Sequence, residues 1–273
     1  MTVDTTRLDG RTALILGGGG EGIGRAVSLE LGRAGADTVV ADLVLEHASS
    51  VSQELVAEGH QAVPLQVDAL NPAEVDALVE QVWSQHEGID VLVTVVGGVR
   101  GLAKWQPTHE YTDGQWSAVL DLNLTNVFYA VRAVLPRMKE RGNGGAIVSI
   151  GSLSGVAGSP NHFAYGVGKA GVIHMARSVA IEYGRFGIRM NTVSPGRIRT
   201  AATSDTLNDE VLATFAERIP LGRIGEPEDI ARAVRFLSAP ASSYISGQML
   251  MVDGGATARF PIPLPGTDPS EAF

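Results

Sequence analysis

Seven short apolar runs alternate with helical stretches along this chain, and that alternation limits the fold more than any other feature. The runs cover residues 12–16, 38–41, 62–67, 90–96, 146–150, 188–193 and 248–252. Each stops at a glycine, an aspartate or a Ser-Pro-Gly turn, the boundary pattern of strands buried on both faces of a parallel sheet. Helical stretches lie between them at about 23–33, 46–58, 113–141, 163–185 and 203–218, with a last one from Glu226 to about Leu237. Another begins at Asn71-Pro72, an N-cap followed by proline at the first helical position. Its Val75, Leu78, Val79 and Val82 form one apolar face. Pro136 punctuates the long 113–141 stretch. Strands and helices joined by short links specify an α/β fold, a doubly wound parallel sheet of about seven strands with helices on both faces. Neither a linker nor an internal repeat interrupts the pattern, so residues 1–273 read as a single domain with a candidate lid at 200–220 and an extended tail at 256–273.

The first run feeds into Gly17-Gly18-Gly19-Gly20-Glu21-Gly22-Ile23-Gly24. Glycine permits close approach of backbone to a ligand. The helix that follows offers unpaired N–H groups and a positive dipole end to a pyrophosphate. Asp42 ends the second run, where a carboxylate accepts hydrogen bonds from both hydroxyls of an adenosine ribose and repels a 2′-phosphate. Glu21 adds negative charge on the same side, and no arginine offsets the two, so the expected cofactor is NAD rather than NADP. Leu43 stands beside Asp42. Asp68, followed by Ala69, ends the third run, placed either to contact an adenine edge or to cap the next helix.

Tyr165 and Lys169 are four residues apart, hence one turn apart on a helix face. A cation held close to a phenol favours the phenolate, which would make Tyr165 a general acid/base for an alcohol oxygen. Ser152 lies thirteen residues upstream at the end of a strand, placed to hydrogen-bond the same oxygen.

These motifs, in this order and spacing, resemble the short-chain dehydrogenase/reductase family over about residues 8–255. The family's glycine turn falls on Gly17 to Gly24, with Gly18, Gly22 and Gly24 matching, and its catalytic tetrad on Asn123, Ser152, Tyr165 and Lys169. Its Pro-Gly turn falls on Pro195-Gly196, with Ile198 and Thr200 at positions that contact the nicotinamide carboxamide. Met251 to Gly255 resembles the family's ending. The resemblance implies a Rossmann-type fold, hydride transfer at the nicotinamide, a lysine that also binds ribose hydroxyls, and backbone at Val96 and Gly97 approaching the ribose. It implies for Asn123 a water that links Lys169 to solvent, against the alternative of a residue stabilising a helix kink. It further implies a homotetramer built through the long helices. Two departures stand out: Gly17 replaces a threonine that braces the turn, and Thr94-Val95-Val96-Gly97 replaces Asn-Asn-Ala-Gly.

A net charge of −9 argues against a nucleic-acid or anionic-membrane partner. The absence of cysteine excludes disulfides and thiolate chemistry, and the six histidines show no ligand spacing, so no metal is expected. The start MTVDTTRLDGR carries no cleavage signal and no stretch reads as a transmembrane span, so the expectation is a cytoplasmic enzyme. The substrate mouth is expected from 98–106, 153–162 and 197–218, with Leu102, Trp105, Leu153, Val156 and Phe163 supplying apolar surface. Such a lining suits a small, cyclic, hydrophobic secondary alcohol or its ketone. Arg100, Lys104, Arg197 and Arg199 are either grips for a carboxylate or phosphate, or solvated loop charges. The alternatives to an NAD-dependent alcohol dehydrogenase are a 3-oxoacyl thioester reductase and a non-catalytic NAD(H)-binding regulator.

Overall fold

The computed structural model describes residues 4–99, 101–102, 106–200 and 209–258. Its strands are β1 (Thr12–Leu16), β2 (Asp37–Asp42), β3 (Ala62–Gln66), β4 (Val91–Thr94), β5 (Gly145–Ile150), β6 (Ile188–Pro195) and β7 (Met249–Val252). They form one parallel sheet in the order β3-β2-β1-β4-β5-β6-β7. The helices are α1 (Ile23–Arg33), α2 (Leu45–Ala57), α3 (Pro72–Gln85), α4 (Asp113–Leu120), α5 (Asn126–Arg141), α6 (Phe163–Tyr183), α7 (Asp209–Glu217) and α8 (Pro227–Ser238).

Every residue of β1 and β4 is buried because helices cover both faces. Ala13 and Ile15 of β1 pack with Val27 and Leu31 of α1 and Val234 of α8. Leu14 and Leu16 face the other way, into Val79 of α3, Val131 of α5 and Val172 of α6. The sheet is the doubly wound α/β arrangement expected from the alternating runs. The strand order reverses beside β1, whose neighbours are β2 and β4. Crossovers there leave on opposite faces, so a crevice opens beyond the carboxyl ends of the strands.

The long 113–141 stretch is interrupted at a different place from the one its sequence predicts. Pro136 lies inside α5 without ending it, and the break is a π-helical turn at Asp121–Thr125. Inserting a residue in a helix frees backbone carbonyls. Here Asn123 Nδ2 donates to Val119 O and Asn126 Nδ2 donates to Leu122 O. By length and composition this stretch is apolar enough to cross a membrane, and half of its most apolar window is buried within the protein.

Asp253 organises the turn after β7, its carboxylate accepting from the backbone N–H groups of Gly255 and Thr257 and from the Thr257 hydroxyl. The described part of the candidate lid, α7, packs Leu212 and Phe215 against Ile219, Ile224 and Ala256. The rest of that lid at 201–208, the tail beyond 258, and Arg100, Lys104 and Trp105 lie outside the described residues.

Thr94 and Ser149 are register partners on β4 and β5, both fully buried, with Thr94 Oγ1 donating to Ser149 Oγ at 2.8 Å. Thr94→Val leaves the Ser149 hydroxyl without that partner and is expected to destabilise by about 1–3 kcal/mol. Adding Ser149→Ala should recover part of the loss. Urea unfolding of the two single variants and the double variant checks this; strictly additive losses would show that the two hydroxyls do not support each other.

Candidate active site

Two cavities meet beyond the carboxyl ends of β1, β4, β5 and β6. One of about 390 Å³ is framed by the glycine turn, and one of about 590 Å³ by Ser152, Tyr165 and Lys169. They share Ile23, Val95, Gly97 and Thr200 and so run into each other.

The smaller cavity is built from strand ends. Gly22 is the N-cap of α1 and supplies no side chain to its first turn, so those backbone N–H groups remain open to an anion. The lining of this cavity includes Glu21, Gly22, Ile23 and Gly24, then Asp42, Leu43 and His47, Asp68 and Ala69, and Val96 and Gly97. Asp42 also shapes the turn, because Oδ2 accepts from Gly19 N at 3.1 Å and Oδ1 from Val44 N at 3.2 Å. Asp68 accepts from Leu70 N at 2.9 Å while its own N–H donates to Glu74, so it closes the local turn before α3. Gly18, a cofactor-binding candidate from the sequence, is not among the residues that line this cavity. It lies buried beneath the cavity, its carbonyl accepting from Ser28 Oγ at 2.9 Å.

The larger cavity takes Ser152 from the end of β5, Tyr165 and Lys169 from α6, and Pro195, Gly196, Ile198 and Thr200 from the segment after β6. A short 3₁₀ turn at Leu153–Gly155 sets its backbone at Gly155 against the Lys169–Ala170 peptide, which carries Ser152 toward Tyr165. Ser152 Oγ accepts from Ser154 N at 3.1 Å. The Lys169 ammonium is fully buried and donates to Ile150 O at 2.9 Å. Gly97 lies directly over it: a side chain there would come within 2.8 Å of Lys169 Nζ and 3.0 Å of Asn123 Oδ1. Position 97 therefore admits only glycine without displacing both.

The electrostatics differ from the sequence expectation. Burial pushes the Tyr165 phenol up, and a hydrogen bond with Ser152 opposes it. Burial pushes Lys169 down to about 8. With Nζ 5.8 Å from the centre of the phenol ring, the lysine does not overcome the desolvation of its neighbour. A phenol pKa lowered by Lys169 is thus not a property of the protein alone.

Asn123 reaches neither cavity wall. Its Oδ1 accepts from Gly98 N at 2.8 Å and its Nδ2 donates to Gly98 O at 2.7 Å and Val119 O at 2.9 Å. The side chain joins the π turn to the loop after β4. Asn126 assists by donating to Val96 O.

Sequence reasoning missed Ser28, Asn126, His47, Phe215 and Arg218. Asn126 had a signal, because Asn-Leu-Thr-Asn puts two amides on one helix face, whereas Phe215 and Arg218 fall within the 197–218 segment expected at the substrate mouth without being singled out in it.

The glycine turn, the uncapped α1 terminus and the run of cavity past Asp42 to Tyr165 fit an extended dinucleotide. A family model described as enoyl-(acyl carrier protein) reductase matches residues 18–257. The chain belongs to the short-chain dehydrogenase/reductase family. It is similar to a cis-4-hydroxycyclohexanecarboxylate dehydrogenase of Sinomonas cyclohexanicum, 36% identical over 89% of this chain and 96% of the relative. It is also similar to a 3-oxoacyl-(acyl-carrier-protein) reductase of Synechocystis sp., 38% identical over 92% of this chain and 98% of the relative. A solved 7α-hydroxysteroid dehydrogenase, complexed with NADH and 7-oxo glycochenodeoxycholic acid, superposes with a TM-score of 0.87 at 33% identity, covering 93% of this chain and 97% of that one. As a short-chain dehydrogenase/reductase the protein is an oxidoreductase of alcohols and ketones that uses a nicotinamide cofactor.

From about pH 8 to 10.5 the unfolded chain keeps a proton on Lys169 that the native protein has released. Native stability gains as pH rises through that window, and below about pH 8 the burial penalty is at its fullest. At pH 7 Lys169→Met is expected to be more stable than the native protein by up to about 3 kcal/mol. The difference should shrink toward pH 10. Urea unfolding at pH 7, 8.5 and 10 measures it, and a pH-independent difference would show that the lysine keeps its ordinary titration.

Proposed function

We propose that the protein interconverts a cyclic, hydrophobic secondary alcohol and its ketone with NAD(H). The observation that carries this reading is the convergence of Ser152, Tyr165 and Lys169 in one cavity that opens into the glycine-turn cavity. The bound nicotinamide gives or takes the hydride. The Ser152 hydroxyl holds the substrate oxygen and steadies the charge that develops on it. Tyr165 passes a proton to that oxygen in reduction and removes it in oxidation. Because burial holds the phenol protonated, the protein alone is set to donate. Lys169 keeps a cation beneath the phenol and has donors left for ribose hydroxyls after its bond to Ile150. Asn123 acts as a positioning residue, keeping Gly97 and Gly98 against the site through the π turn.

Preference for NAD rests on charge. Glu21, Asp42 and Asp68 line the smaller cavity, and among its described lining residues there is no arginine or lysine. A 2′-phosphate there would meet carboxylates without a cation. The same arrangement weighs against the 3-oxoacyl thioester reductase reading, which the Synechocystis relative favours. A cyclic substrate is supported by the apolar Leu153, Ile198, Phe215 and Ile219 around the larger cavity, and by the ring alcohol in the name of the Sinomonas relative. The assembly in this reading is a homotetramer through α5 and α6, where Phe128, Val167 and Ile181 stand exposed.

A panel of cyclic ketones and secondary alcohols, followed by NADH absorbance, tests the reaction. Tyr165→Phe is expected to lose turnover by roughly 100- to 10,000-fold while still binding NADH; near-native turnover would end the assignment. In the same assay the native protein should prefer NADH over NADPH by roughly 100-fold in kcat/KM, the penalty of placing like charges together. Asp42→Ser combined with Glu21→Arg should narrow that ratio. Equal use of both dinucleotides by the native protein would overturn the charge argument.

A further inference from the structure

The larger cavity is electrostatically unlike the rest of the molecule. The chain carries 30 acidic and 21 basic residues. Yet the described residues lining this cavity include Lys169, Arg197, Arg218 and His162 and no aspartate or glutamate. Lys169 lies beneath Tyr165 and has its carbonyl partner, so it belongs to the reaction centre. Arg197 does not.

Arg197 follows the Pro195-Gly196 turn and is half-buried, and burial pushes its pKa below the ordinary arginine value. Its guanidinium carbon stands over the Phe215 ring, 4.3 Å from its centre, a cation–π contact that helps hold the guanidinium in place. Among the described residues it has no carboxylate partner. Its neighbours behave differently. Arg199 pairs with Glu226, Arg223 and Arg232 pair with Asp229, and Arg235 pairs with Glu30. Asp229 and Asp253 line a neighbouring cavity with Arg197 but do not pair with it, so a half-buried cation with no carboxylate in ion-pair range among the described residues would be relieved by an anion entering the larger cavity. Arg218 lines the same cavity from beyond α7, close in sequence to the ring that holds Arg197. The charge of Arg197 is also felt at His162, whose ring centre lies 5.1 Å from that of Tyr165. Arg197 thus stands on the substrate side of the reaction centre. Leu153, Ile198 and Ile219 supply the apolar wall of the cavity.

We propose that the substrate carries a carboxylate, and that Arg197, held over Phe215 and flanked by Arg218, receives it while Ser152 and Tyr165 hold the alcohol or ketone oxygen of the same molecule. The substrate class is a ring-bearing hydroxy acid or oxo acid, oriented from both ends. This rests on the redox reading above for the second end only, since the carboxylate grip needs no turnover. In reduction the ketone carbon takes the hydride from NADH, its oxygen takes the Tyr165 proton, and the carboxylate is unchanged.

The test uses the full-length protein with NADH. Oxocyclohexane carboxylates with the acid at C2, C3 or C4 are compared with their methyl esters, and cyclohexanecarboxylate serves as a non-reacting probe in calorimetry. At least one acid should exceed its ester in kcat/KM by roughly 10- to 100-fold, the worth of hydrogen bonds to a charged group. Arg197→Met, which keeps an apolar chain over Phe215, should abolish that ratio, mainly through KM for the acid. Arg197→Lys should restore part of it. Cyclohexanecarboxylate should bind the NADH complex of the native protein, and binding should be lost in Arg197→Met. Acids and esters reduced equally well, or carboxylate binding indifferent to Arg197, would overturn the proposal even if ketones are reduced. Arg197-dependent carboxylate binding without reduction of any ketone would uphold the grip and defeat the redox reading instead.

Discussion

An ammonium group buried without a carboxylate partner among the described residues lies at the centre of this site. Lys169 gives one hydrogen bond to the carbonyl at the end of β5 and lies under the backbone of Gly97, which Asn123 ties to the π turn through Gly98. Three separate parts of the chain are thus fixed around one cation: a strand end, a loop and a helix. The carboxyl edge of a parallel sheet presents carbonyl oxygens, so it tolerates a buried cation better than an apolar core would. The tolerance is incomplete, as the fall of Lys169 to about 8 shows. A ligand hydroxyl that accepted from Nζ would offset some of the remaining cost, which couples occupation of the site to its stability.

The same edge is polarised along its length. The cavity beside β2 and β3 is lined by Glu21, Asp42 and Asp68, and the cavity beside β5 and β6 by Lys169, Arg197 and Arg218. The strand order produces this separation, since Asp42 ends β2 and Asp68 follows β3 on one side of the switch point while Arg197 and Arg218 follow β6 on the other. The ligands proposed above, a dinucleotide with free ribose hydroxyls and a substrate bearing negative charge, follow this polarity. The field within such walls is stronger than in water, so the sorting is sharper than surface charge would give.

The fold was legible because burial on both faces writes each parallel strand as an uninterrupted apolar run, and 12–16 agrees with β1 residue for residue. The convergence of the candidate residues was legible for a similar reason: Tyr165 and Lys169 sit on one helix, and Ser152 sits at a strand end. What escaped depends on contacts distant in sequence. The π turn has no hydrophobic signature, whereas Pro136 does carry a local signal, so the break was placed at the proline. The direction of the Tyr165 shift escaped as well. Spacing shows that a cation is near but not that both groups are desolvated, and burial decides the sign. The pairing of Arg197 with Phe215 joins residues eighteen apart across a loop, with no periodicity to mark it.

Part of the second departure from the family's pattern answers the first. Gly17 has φ +83°, and a side chain there would come within 2.8 Å of Val96 Cγ2 and 3.0 Å of Val96 N. The space in which the family's threonine would stand is therefore filled from the other side, by a valine where the family has alanine. The glycine turn keeps a brace, apolar instead of hydrogen-bonded, and further support comes from Ser28 beneath Gly18 and Asp42 on Gly19. At Thr94 the substitution is answered within the sheet by the hydroxyl of Ser149. Changing Gly17 alone would combine backbone strain with a collision, and shrinking Val96 alone would leave the turn unsupported. The two positions are expected to vary together, because each fixes the volume that the other must fill.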